Sequence, residues 1–278
     1  MTDRSREAVE ELARRRADAR RARDFSTADE LRAQIESAGW KIVDDGYDFR
    51  VEPASPSTSV PSRLDEPPGA PLTIVAPDAA TQVPGGTVPA TTQVVAVDEE
   101  RPGLNLAEAW NIGLRQSVGE VVVLLGRGVG VTGDIATPVA EALADDTIGV
   151  VGGNGLLSDD LRHWRTAGAG EVDALDATCL AFRRADAAAR GPLDERFSSA
   201  RLLAIWWSLV LRDEGPEHPP RRAVALDLPL EGEAASEEPD ARGPRRDFYR
   251  VLDRFRGRYD LLLEPVRPTR GSATAQRG

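Results

Sequence analysis

From Leu72 onward, short apolar runs alternate with stretches of helical spacing. LTIVAP and TQVVAVDEE predict strands, NLAEAWNIGLRQSVG an amphipathic helix, EVVVLL a strand, DIATPVAEALAD a helix and TIGVVGG a strand. EVDALDATCLAFRRADAAARG predicts a strand leading into a turn or helix, and SSARLLAIWWSLVLRDEG an apolar helix. An uninterrupted apolar run such as Val121 to Leu125 marks a strand buried on both faces, as in a parallel sheet. Alternating strands and helices therefore predict an α/β domain with a doubly wound, mostly parallel sheet. Ligands bind such sheets at the carboxyl ends of the strands, which places Gly126-Arg127-Gly128 where a ligand would sit. One interval breaks the rhythm: APDAATQVPGGTVPATTQ, between Val75 and Val94, has no helical periodicity. A parallel crossover ordinarily carries a helix there.

Ahead of this domain the pattern differs. SREAVEELARRRADARRAR sets Val9, Leu12, Arg16 and Ala19 along a weak stripe. DFSTADELRAQIESAGW predicts a second helix, with Ser26 or Thr27 as its cap, Glu30 in the first turn and Gly39 beyond its end. KIVDDGYDFRVEP alternates around an Asp-Gly turn, the short-range signal of a β-hairpin. Residues 1–51 are thus expected to form a small helical hairpin with a β-ribbon. Residues 52–71, rich in Pro and Ser and without periodicity, read as a semi-rigid, poorly ordered linker. The main domain is assigned to 72–262. Its last helix, through Phe248, Val251, Leu252 and Phe255, is expected to pack on the rest, with 263–278 as a disordered tail.

Composition narrows the possibilities. The 278 residues suffice for one large domain with an appendage, and 41% hydrophobic with 29% charged residues is ordinary for a globular protein. A net charge of -11 argues against general nucleic-acid binding, which needs surplus cations against phosphate. Lys41 is the only lysine, so almost all positive charge is arginine, and each Arg need not be functional. Cys179 stands alone, which excludes an internal disulfide and a Cys-rich zinc site. No run approaches the roughly 20 apolar residues of a membrane helix, and the N-terminus is unlike a signal peptide, so the expected location is the cytoplasm. His163 and His218 lack metal-ligand spacing and are expected to face solvent.

Several motifs of the large domain occur in a joint order. Asn105, Asn111, Gly113 and Gly119-Glu120 are followed by Cys179 to Arg184, Gly191 to Phe197 and Trp207 to Arg212. Together they resemble family 2 glycosyltransferases of the GT-A fold, over about residues 72–215 and on to 262 if the last helix belongs. The resemblance implies a nucleotide-sugar donor and inverting transfer. It also implies a strand ending in Asp-x-Asp, whose carboxylates hold manganese or magnesium against the donor diphosphate. Gly126-Arg127-Gly128 stands there instead, so no metal cofactor is expected. Arg127 is either part of a simple turn or a direct diphosphate contact, and a lone Arg replaces a metal poorly. The family's general base would fall at Leu203-Ala204, both apolar, leaving Asp194 as the fallback catalytic residue. Asp98 matches the acid that contacts the donor's uracil or ribose, and Asn105 opens a helix whose backbone amides suit a phosphate. Separately, Arg23 to Phe25, Ala28-Asp29, Leu31-Arg32, Ile35, Gly39 and Asp44 resemble the C-terminal helical tail of cysteinyl-tRNA synthetases, over residues 8–50. That resemblance implies a protein or RNA partner for residues 5–50.

The leading expectation is a glycosyltransferase-like protein whose metal and base positions are lost. The alternative is a non-catalytic binding or scaffold module that uses the hairpin for a partner.

Overall fold

The computed structural model describes residues 3–22, 24–45, 48–97, 103–232 and 243–265. Helices α1 (Asp3–Arg21) and α2 (Phe25–Ser37) precede strands β1 (Trp40–Asp45) and β2 (Asp48–Pro53), which pair antiparallel. The Gly46-Tyr47 turn itself lies outside the described residues. The unit has its own small core of Val9, Ala13, Ile35, Trp40 and Val51. Its second helix starts earlier than expected. Asp24, rather than Ser26 or Thr27, is the cap, its Oδ1 accepting from the Thr27 N–H at 3.1 Å. Asp caps as well as Ser does, and Asp24 precedes the first helical residue. On α1 the arginines find carboxylates one turn away: Arg14 lies 3.3 Å from Glu11 and Arg21 2.8 Å from Asp18.

The main body is a seven-stranded sheet in the order β10-β13-β7-β12-β5-β3-β4. In chain order its strands are β3 (Ala70–Ala76), β4 (Gln93–Ala96), β5 (Gly119–Leu125), β7 (Ile148–Gly152), β10 (Gly170–Val172), β12 (Cys179–Arg183) and β13 (Arg222–Ala225). Between them come β6 (Gly130–Val131), β8 (Gly155–Leu157), β9 (Arg165–Ala167), β11 (Ala174–Leu175) and, later, β14 (Leu230–Glu231), which form two small accessory sheets. The pairings send β3, β4, β5, β7 and β13 one way and only β10 and β12 the other. The sheet is mixed but mostly parallel in direction.

Burial explains the uninterrupted apolar runs. Val122 and Leu124 of β5 enter one core and Val123 and Leu125 the other, all four fully buried. The first core is covered by α3 (Leu106–Gln116) and by α6 (Ala200–Arg212), whose Trp207 meets Phe182 of β12 edge-to-face at 5.8 Å. Helix α5 (Arg184–Arg190) follows β12, and α7 (Gly243–Arg254) packs Val251 and, just past its end, Phe255 into the same core. Among the described helices, only the short α4 (Ala136–Leu143) covers the second face. Residues 77–92, between β3 and β4, contain turns and no helix, as their sequence predicts.

The Pro/Ser segment behaves differently from a loose linker. Pro56–Ser59 form a 3-10 turn, and Val60 is 5% exposed within the main core. Arg115 Nε donates to the Val60 carbonyl at 2.6 Å, while Arg184 donates to those of Arg63 at 2.9 Å and Glu66 at 2.6 Å. The expectation of poor order weighed Pro and Ser content but not the arginines elsewhere that satisfy this segment's carbonyls. Among the described residues no helix is long and apolar enough to cross a membrane.

Candidate functional site

Strands β3, β4 and β5 lie side by side, and the turns after β3 and β5, with the approach to α3, make the candidate site. At the end of β5 the Gly126 N–H donates to the Thr178 carbonyl at 2.9 Å, and the chain reverses through Gly128 at φ 73°. Only glycine adopts that backbone without strain. Between these glycines Arg127 folds inward, its side chain 20% exposed. Its Nη2 donates to the Leu104 carbonyl at 2.7 Å, and Nη1 lies 3.4 Å from Asp78 Oδ2. The other Asp78 oxygen accepts from the Thr81 amide at 2.9 Å and sits 2.8 Å from its hydroxyl. That hydroxyl accepts in turn from the Gly128 N–H at 3.1 Å. The loop after β3, the turn after β5 and the approach to α3 are therefore laced together through one guanidinium. Asp78 and Thr81 went unnoticed in the sequence, although Asp-x-x-Thr after a strand is a recognisable turn signal.

The start of α3 is equally occupied. Asn105 accepts from the Glu108 N–H at 2.9 Å while Glu108 accepts from the Asn105 N–H at 2.8 Å, a reciprocal capping box. Asn105 Nδ2 donates to the Glu195 carbonyl at 2.9 Å. Nearly two turns on, Asn111 both donates to the Leu193 carbonyl and accepts from its N–H, each at 2.9 Å. Asn111 also donates to Glu195 Oε1 at 2.8 Å, and that oxygen accepts from the Ser57 hydroxyl as well. Both asparagines fasten the Leu193-to-Phe197 turn onto α3. The remaining expected donor contact, Asp98, lies outside the described residues.

A divalent metal does not fit what is present after β5. Neither glycine offers an oxygen side chain, Arg127 brings positive charge, and Asp78 is the guanidinium's own counter-ion. Among the described residues no three His, Cys, Asp or Glu side chains are placed to share an ion. The position of a general base is no better supplied. Leu203 and Ala204 are interior residues of α6, 1% and 0% exposed. Asp194 is gripped by Arg196 through two side-chain bonds of 2.8 and 2.7 Å, with Arg250 3.8 Å away. Burial pushes its carboxyl up, but the Arg196 hydrogen bonds and the nearby Arg250 charge outweigh that and hold it below the usual carboxylate range. A carboxylate so held takes up a proton poorly at neutral pH. His163 is 86% exposed with Nδ1 2.7 Å from Asp160, and the buried Cys179 thiol is pushed up by desolvation to about 12.

No protein-family profile matches the chain, and no curated protein matches it in sequence. Among solved structures it is similar to GalNAc-T7, crystallised with UDP, GalNAc and Mn2+, at 15% identity and a TM-score of 0.44. It is similar also to S. aureus TarS, at 16% identity and a TM-score of 0.35. The matches cover 61% and 58% of this chain, and 37% and 28% of those chains. Likenesses of this size decide nothing about chemistry, and none supports the synthetase-tail resemblance of residues 8–50.

Proposed function

We propose that residues 72–262 are a glycosyltransferase family 2-like domain, of nucleotide-sugar-dependent lineage, that has given up metal-assisted sugar transfer while keeping its framework. The observation that carries this reading is the inward Arg127. Where an acidic motif would hold the donor's metal, a guanidinium instead ties Leu104 to Asp78. The lineage is supported by the motif residues themselves, which lock one another in place. Asn105 and Asn111 anchor the Leu193-to-Phe197 turn, Phe182 packs on Trp207, and Gly113 lies flat against Val75 of β3. All of them serve architecture, so the likeness survives although the reacting groups do not. For Arg127 to grip a diphosphate it would first have to release a carbonyl and a carboxylate. Each such charge-assisted bond contributes about 1.5–3 kcal/mol.

Calorimetry of the full chain with UDP- and GDP-sugars, with and without manganese, tests this. The expected result is no metal-enhanced affinity and no release of UDP or GDP over hours. Manganese-dependent binding, or turnover of any nucleotide sugar, would overturn it.

A further inference from the structure

From Pro61 to Gly69 the chain crosses the main body as a strap held by its backbone. Arg184 takes the carbonyls of Arg63 and Glu66, the Arg63 N–H goes to the Arg115 carbonyl at 2.7 Å, and the Gly69 N–H to that of Val118 at 2.8 Å. Its side chains contribute little. Beyond Val60, Leu64 is the only residue up to Gly69 that is not exposed. Leu64 borders unfilled space twice over. One cavity, of about 660 Å³, is walled also by Pro68, Pro71, Ala140, Ala144 and Ala188. A second, of about 230 Å³, has Leu64 and Ala188 in its wall again, with Leu114 and Ala187.

The larger cavity has the size of sites for drug-sized molecules, about 300–1,000 Å³. Pro68, Pro71, Ala140, Ala144 and Ala188 are all exposed. The strap, the start of β3, α4 and α5 thus turn apolar surface toward one hollow, and contiguous exposed apolar surface marks a binding site. Three charged residues stand at its margin, Glu120, Arg183 and Arg184. Both guanidiniums keep their charge while donating to backbone carbonyls, so a cation drawn to Glu120 would meet two positive groups. An anion drawn to Arg183 would compete with Asp146 and Asp186, already 3.5 and 3.7 Å from it, and would be repelled by Glu120. Arg184, 5% exposed, is turned to three carbonyls. Neither sign of charge gains, and either ion would lose hydration against aliphatic walls.

We propose that this cavity binds a neutral, apolar small molecule, and that its occupancy holds the strap down. Leu64 and Pro68 belong to the wall, so the strap cannot lift without dissolving the site. A ligand that binds only the closed form suppresses such a local opening by the factor 1 + [L]/Kd. The cavity lies beside Glu120 and Val121 at the start of β5, the opposite end from Arg127, so it stands or falls apart from the nucleotide-sugar reading.

Titration of the full chain at neutral pH with naphthalene-1-methanol, 1-naphthylmethylamine and 1-naphthoate, three compounds of one size, provides the test. The alcohol is expected to saturate one site and to bind at least about fivefold tighter than either ion. At about ten times its Kd it should slow cutting between residues 61 and 69 by a nonspecific protease about tenfold, with cleavage of an added unrelated peptide unchanged. Ala140→Leu and Ala188→Leu, at exposed positions and checked for an unchanged fold by circular dichroism, are each expected to narrow the cavity and weaken the alcohol at least about threefold. The proposal is overturned if the alcohol does not saturate, if either ion binds as tightly, or if neither leucine variant weakens it. Saturable binding that leaves the strap's cleavage rate unaltered would equally overturn it, since the molecule would then sit elsewhere.

Discussion

At Arg127 a guanidinium finds a backbone carbonyl, and the same use of arginine recurs through the molecule. Arg183 reaches three carbonyls, Arg184 three and the buried Arg212 two, those of Arg221 and Asp173. Desolvation lowers Arg212 to about 10, against the pull of Asp173, so it stays charged at neutral pH. A planar fork of five donors can satisfy several acceptors at once, which a lysine ammonium does less well. The abundance of arginine was plain in the sequence, but its partners were not, because backbone carbonyls leave no trace in residue identity. Arg127→Ala is expected to cost about 1.5–3 kcal/mol of unfolding free energy in urea melts and to leave UDP affinity unchanged. Lost affinity with unaltered stability would restore the diphosphate-contact reading.

Among the elements, α3 shows both what spacing reveals and what it hides. Its amphipathic pattern and its start at Asn105 were legible. So, in principle, was its cap: Asn105 followed three residues later by Glu108 is a capping-box signature, and a helix cap competes with a phosphate for the same side chain. The close seat of α3 on β3 was not legible. A Cβ added at Gly113 would lie 2.1 Å from Val75 Cγ1. Gly113→Ala is therefore expected to destabilise by about 1–3 kcal/mol through overpacking, with Val75→Ala in the same chain recovering part of the loss. Thermal melts of the two single variants and the double variant measure that coupling. Additive losses would mean that the helix simply shifts away. The start of α2 teaches a related lesson, since Asp24, Ser26 and Thr27 all suit a cap by residue type and the hydrogen bond from the Thr27 N–H shows that Asp24 takes the place.

For the molecule as a whole, strand–helix alternation carried the fold class, and the apolar run of β5 announced its double burial. The reversed direction of β12 escaped notice, because a strand covered on both faces reads alike whichever way it runs. The segment around residues 54–69 escaped as well, its order being borrowed from Arg115 and Arg184 on distant helices. In the intact chain it should resist a nonspecific protease, and Arg184→Ala should speed cleavage there at least about tenfold if the freed segment loses about 1.5 kcal/mol of protection. Early cutting of the unaltered chain within that stretch would show the strap to be loose. Strand order also carries a temporal consequence. β12 lies between β5 and β7 yet is made after both. From Leu125 to Arg183 the ribosome adds 58 residues (183 − 125), roughly 3–12 s of synthesis at about 5–20 residues per second. Throughout that interval β5 of the nascent chain offers an unpaired, apolar edge. Any strand that reaches it first, from this chain or a neighbour on the same message, competes with β12 for the place.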